Sequence, residues 1–110
     1  MTSLNEKLRA LRDTFAALDG VTVRHYYRTK QTPPVLLWAE TGESGSIEGD
    51  NRKAEQTVAG DLDYFTKLEF DPAIDRIQTM LNDAAVSWKL EGVDYEEDTN
   101  LIHYHWTWEV

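Results

Sequence analysis

The chain has 110 residues, 41% hydrophobic and 28% charged, with 20 acidic side chains against 11 basic and no cysteine. This predicts a single globular domain, 1–110, with one core, and it excludes disulfides, thiolate metal sites and cysteine nucleophiles. A net charge of −9 repels phosphate backbones, so no direct nucleic-acid contact is expected. No apolar run reaches the ~18 residues of a membrane span.

The first residues, MTSLNEKLRALRD, lack the apolar region of a signal peptide. Ser3 followed by Glu6 is a capping-box signature. Leu4, Leu8, Leu11, Phe15 and Leu18 form one apolar stripe, so a helix is predicted over 4–19 with Gly20 as its cap. A strand over 21–27 includes the one basic stretch, 24–30, which reads as a strand with solvated charges. Pro33-Pro34 then breaks the chain before a strand over 35–40. Residues 41–53, TGESGSIEGDNRK, mix three glycines with serine and acids and predict a mobile loop. A third strand over 54–66 puts Val58, Leu62 and Tyr64 on one face and Asp61 and Asp63 on the other. Gly60, on the apolar face, marks a bulge or a close approach. Asp71-Pro72 starts a second helix over 72–82, with Ile74, Ile77 and Leu81 as its buried stripe.

The last two strands are predicted over 86–95 and 101–110. In the final one, Ile102, Tyr104, Trp106, Trp108 and Val110 alternate with Leu101, His103, His105, Thr107 and Glu109. In the one before it the apolar parity switches between Leu90 and Val93, and a one-residue bulge at Glu91–Gly92 restores it. With a turn at 97–100, Tyr95 faces Ile102, Val93 faces Tyr104, Leu90 faces Trp106, Trp88 faces Trp108 and Val86 faces Val110. The order α-β-β-β-α-β-β with short links predicts a two-layer α+β domain: an antiparallel sheet with two helices on one face. The other face, with Thr57, Asp61, Asp63, His103, His105 and Glu109, is left for water or another subunit.

His103 and His105 project from one side of a strand, a known way to present two metal ligands. A closed site needs four ligands, and only Glu109 shares that face while His25 is the one further imidazole. The pair therefore reads as polar surface or interface, and no metal or other cofactor is expected. The carboxylate pairs Asp61/Asp63 and Asp94/Glu96 sit on turns or on the polar face of a strand, where solvation is the default. Ser44 and Ser46 lack a nucleophile elbow, and the surrounding glycines do not form a phosphate loop. No catalytic residue stands out, and the chain is not expected to be an enzyme.

The segment 59–110 carries the stretches DYFTKLEFDP (63–72), DRIQTMLN (75–82) and YEEDTNLIHYHWTWEV (95–110). In these it resembles the tail-terminator, tail-completion and head–tail joining proteins of siphophages and Gram-positive prophages. The Gly/Ser loop with Asp50 and Asn51 also resembles the stretch before that family's central strand. The resemblance implies a mixed α+β fold and subunits that close into a ring homo-oligomer, commonly a hexamer. Such a ring would cap the tail tube, with the major tail tube protein and the head–tail connector as partners. Its place would be the virion tail, after synthesis in the bacterial cytoplasm. The candidate interface residues are Asp61, Asp63, His103, His105, Glu109, Asp50 and Asn51. A reading from another class is a small-molecule binding protein or enzyme with a pocket between sheet and helices, which requires converging polar groups in a cavity. A third is a metal-dependent regulator built on His103 and His105.

Overall fold

The computed structural model describes residues 1–27, 32–49 and 52–110, and their side chains apart from those of 45–49, 52 and 54. The elements follow the expected order: α1 (Leu4–Ala16), β1 (Thr22–His25), β2 (Val35–Gly49), β3 (Arg52–Thr66), α2 (Pro72–Asp83), β4 (Ser87–Glu96) and β5 (Leu101–Glu109). The five strands form one open sheet in the order β1-β2-β3-β5-β4. Leu11 and Phe15 of α1 and Ala73, Ile77 and Leu81 of α2 pack on one face of it, against Leu36, Trp38, Leu62, Tyr64, Trp106 and Trp108. The result is the two-layer α+β arrangement.

Both helix starts follow local chemistry. The Ser3 hydroxyl accepts the Glu6 N–H, and the Asp71 carboxylate accepts the Ala73 N–H ahead of Pro72. α1 ends at Ala16, three residues before the expected end, and Ala17 rather than Gly20 is its C-cap. Leu18 is still buried, because Ala17 and Leu18 donate to the carbonyls of Thr14 and Phe15 and tighten the last turn. The apolar stripe therefore outruns the helix. β1 is also shorter than expected, since Tyr26 takes a φ of 79° and leaves the extended conformation.

Two expectations about the sheet are corrected. The sheet is not wholly antiparallel, because β1 pairs parallel to β2, with Thr22 beside Val35 and His25 beside Trp38. The Thr22 and Tyr26 N–H groups donate to the carbonyls of Pro34 and Trp38 and close that ladder at both ends. The predicted loop over 41–53 is instead largely strand. β2 continues to Gly49 and β3 begins at Arg52, and the two pair through register shifts at Glu40/Gly42, Glu43/Gly45 and Ile47/Glu48. Glycine, serine and acid composition reads as loop, but cross-strand bonds hold such residues extended when a partner strand lies alongside. β5 pairs with β3 from Ala59 onward, and among the described residues no third strand lies beside the outer half of this hairpin. It forms an arm on a molecule measuring 53 × 24 × 23 Å.

The C-terminal hairpin keeps the predicted register. Tyr95–Ile102, Val93–Tyr104, Leu90–Trp106 and Trp88–Trp108 are partners, with the shift between Leu90 and Gly92. Val86 and Val110 are not partners. The Val86 N–H closes α2 on the Leu81 carbonyl, and Val110 exchanges two backbone bonds with Val58 on the other side of β5. Those two bonds hold the last residue. Gly60 is a close approach: a Cβ there would lie 2.1 Å from the Trp108 ring and 2.4 Å from the Ala39 carbonyl. The indole N–H groups find acceptors too, Trp106 on Gln78 at 3.1 Å and Trp108 on the Asp61 carbonyl at 2.9 Å.

Candidate interaction face

The sheet face away from the helices carries an alternating row of acids and imidazoles. Asp63 on β3 and His105 on β5 are direct cross-strand partners. Asp63 Oδ1 bonds both His103 Nε2 at 2.6 Å and His105 Nδ1 at 2.9 Å. A carboxylate only accepts, so each of these ring nitrogens is the protonated one. The second nitrogen of His103 lies 3.9 Å from Glu96 Oε1, and that of His105 lies 3.5 Å from Asp61 Oδ1. Glu96, His103, Asp63, His105 and Asp61 thus form a continuous row across β4, β5 and β3. The Phe65 ring stacks on His103 with centroids 4.3 Å apart and fixes that imidazole. Beside the row, the Thr107 hydroxyl donates to Glu91.

Three carboxylates against two imidazoles make this an acidic face. The groups are only partly covered, with Asp63 the most sheltered at 19% side-chain exposure. Pairs in such surroundings contribute about 0–1 kcal/mol each, so the row gives pattern to a surface more than stability to the fold. Among the described residues, no three His, Asp or Glu side chains converge as a metal site. His103 and His105 turn one nitrogen each toward the same oxygen, which holds them as donors to Asp63.

Of the candidates read from the sequence, Asp61, Asp63, His103 and His105 are brought together. Glu109 is exposed near the end of β5, and among the described residues it makes none of these contacts. Asp50 and Asn51 lie outside the described residues. Glu96 was named only as a carboxylate paired with Asp94 and Glu91 only at the bulge, and Phe65 was not singled out. Only the bulge, which carries Glu96 onto the polar face, pointed to any of them.

A second cluster forms at the root of the arm. The His25 ring is sandwiched between Trp38 and Tyr26, with centroids 3.7 Å away on each side. Glu40 bonds His25 Nε2 at 2.7 Å and accepts the Tyr26 hydroxyl at 2.6 Å. Burial pushes the Glu40 carboxyl up, but bonds from Tyr26, the backbone and His25 outweigh it and hold it below the ordinary value. The same bond, donated to Glu40, raises the Tyr26 hydroxyl. This cluster depends on the parallel β1–β2 pairing, which sets His25 beside Trp38, so strand-by-strand reading does not reveal it.

A third network locks α2 to the sheet. Asp71 accepts from the Tyr64 and Thr66 hydroxyls at 2.7 and 2.8 Å and caps the helix through the Ala73 N–H. Burial raises the Asp71 carboxyl, yet these three donors and the nearby Arg76 charge lower it overall. Tyr64 is raised well above its ordinary value, by burial first and then by Asp71. Among the described residues, no helix is long and apolar enough to cross a membrane. Compared with known protein families and with curated proteins, the chain matches none.

Proposed function

We propose that this chain is a structural assembly protein of the tail-terminator kind that its C-terminal half resembles. It acts by binding alone: copies close into a ring that meets the tail tube on one side and the head connector on the other. The observation that carries this reading is the arm. A two-stranded ribbon that leaves its sheet is marginal in water, and the core of the domain does not need it. Such an element is explained by a partner that packs against it. The row of acids and imidazoles on the uncovered face supplies a second patterned surface for recognition, with complementary charge giving register and specificity more than raw affinity. Between sheet and helices the space is filled by Phe15, Trp38, Leu62, Trp106 and Trp108, which is packing suited to a rigid unit.

Size-exclusion chromatography with light scattering, over a range of concentrations and with tail-tube protein added, tests the proposal. A ring-sized species or a stable complex with the tube is expected. A strict monomer that ignores the tube protein would overturn it.

A further inference from the structure

The sheet is open, and its two edges are unlike. β4 forms one edge and β1 the other. We propose that the outer edge of β4 in one copy pairs antiparallel with the outer edge of β1 in the next, so that one sheet continues from subunit to subunit. This rests on the ring-forming reading above and names the surface that closes the ring.

Strand direction permits it. β1 and β2 run parallel, and each of the next three pairings reverses direction, so β4 runs opposite to β1. A copy rotated about an axis near the strand direction keeps its strand polarity, and its β1 then meets β4 antiparallel. The contact is head-to-tail, the type that generates rings.

The faces also match. On its helix-side face β4 presents Leu90, Val93 and Tyr95, exposed by 41%, 49% and 59%. β1 presents Val23 on that same side, in register with buried Leu36, and Val21 falls in step with it. On the opposite face β4 carries Asp94 and Glu96, with Glu91 at the bulge, while β1 carries the exposed Arg24. Setting Val23 opposite Val93 puts Val21 against Tyr95, Thr22 against Asp94, and Arg24 beside Glu91 at the bulge. The groove lined by Val93, Tyr95, Ile102 and Lys67 then receives Val21. Apolar meets apolar on one face and cation meets carboxylate on the other. Charges and a bulge keep an edge from pairing at random, and acids on β4 select a basic strand over a second β4.

The absence of cysteine makes this directly testable. A Thr22→Cys, Asp94→Cys double variant is expected to give, on mild oxidation, a ladder of covalent oligomers ending in one closed species on a non-reducing denaturing gel. Either single variant gives at most a dimer. Separately, Glu91→Arg and Arg24→Asp should each weaken association about tenfold, and their combination should restore it. Both sites are exposed, and circular dichroism checks that the fold is kept. If the native chain assembles but shows neither the ladder nor the charge rescue, the edge pairing is overturned while the assembly reading stands. If the chain stays monomeric alone and with tube protein, both are overturned.

Discussion

The helix-covered face of the sheet and the uncovered one use the same two strands, β3 and β5, in different ways. On the covered side Leu62, Tyr64, Trp106 and Trp108 are almost wholly hidden, Gly60 makes room for an indole, and among the described residues each buried side-chain polar atom has a partner. On the uncovered side Asp61, Asp63, His103 and His105 satisfy one another at the surface. Removing apolar area from water contributes roughly 25 cal/mol per Å², whereas partly exposed ion pairs contribute about 0–1 kcal/mol. Stability therefore lies on one side, and the other is free to carry a recognition pattern that folding does not require.

Substitutions can break or sharpen this contrast. The largest effect is expected at Trp106, where replacement by Ala leaves a cavity and strands Gln78, a loss of about 4 kcal/mol in urea unfolding. Gly60→Ala comes next, at about 2–3 kcal/mol, because the added methyl meets both the Trp108 ring and the Ala39 backbone. A parent-like urea midpoint for Gly60→Ala would mean that the contact is not tight.

Asp71→Ala should cost about 1–2 kcal/mol, since it removes a helix cap and leaves the Tyr64 and Thr66 hydroxyls unpaired. It also changes the acid limb. The folded state holds the Asp71 carboxyl below its ordinary 3.8. Its contribution is therefore present above that value and lost as pH falls through the lower folded one. The variant should show a flatter loss of stability in acid, measured as urea midpoints across pH. On the uncovered face, Asp63→Asn and His103→Gln should each shift stability by under about 1 kcal/mol. A larger loss at either would show that the row supports the fold as well as the surface. Smallest of all, replacing residues 45–55 with an Asn-Gly turn should leave unfolding within about 0.5 kcal/mol of the parent while abolishing assembly by light scattering.

The sequence carried the register of the C-terminal hairpin from Trp88 to Tyr95, though not the Val86–Val110 pair, because each apolar residue had to find an apolar partner, and a one-residue slip would have turned the whole set outward. Leu90 and Val93 could share a face only through a bulge at Glu91–Gly92, and the register shift lies between Leu90 and Gly92. The same logic failed at the N-terminal side. β1 is four residues long, TVRH, and one valine and one arginine set no direction against β2. The arm was hidden for a related reason, since nothing in glycine, serine and glutamate asks for a strand until another strand is beside it.

What the chain settled by itself was the element order, the apolar faces, the N-terminal helix caps Ser3 and Asp71 and the position of Gly60, because these follow from periodicity and local hydrogen bonding. Only the tertiary structure decided the direction of β1, the length of the β2–β3 hairpin, the meeting of two imidazoles on Asp63 and the stacking of His25 on Trp38. Each of these depends on residues far apart in sequence, and backbone bonding between strands supplies an energy that no side-chain pattern records.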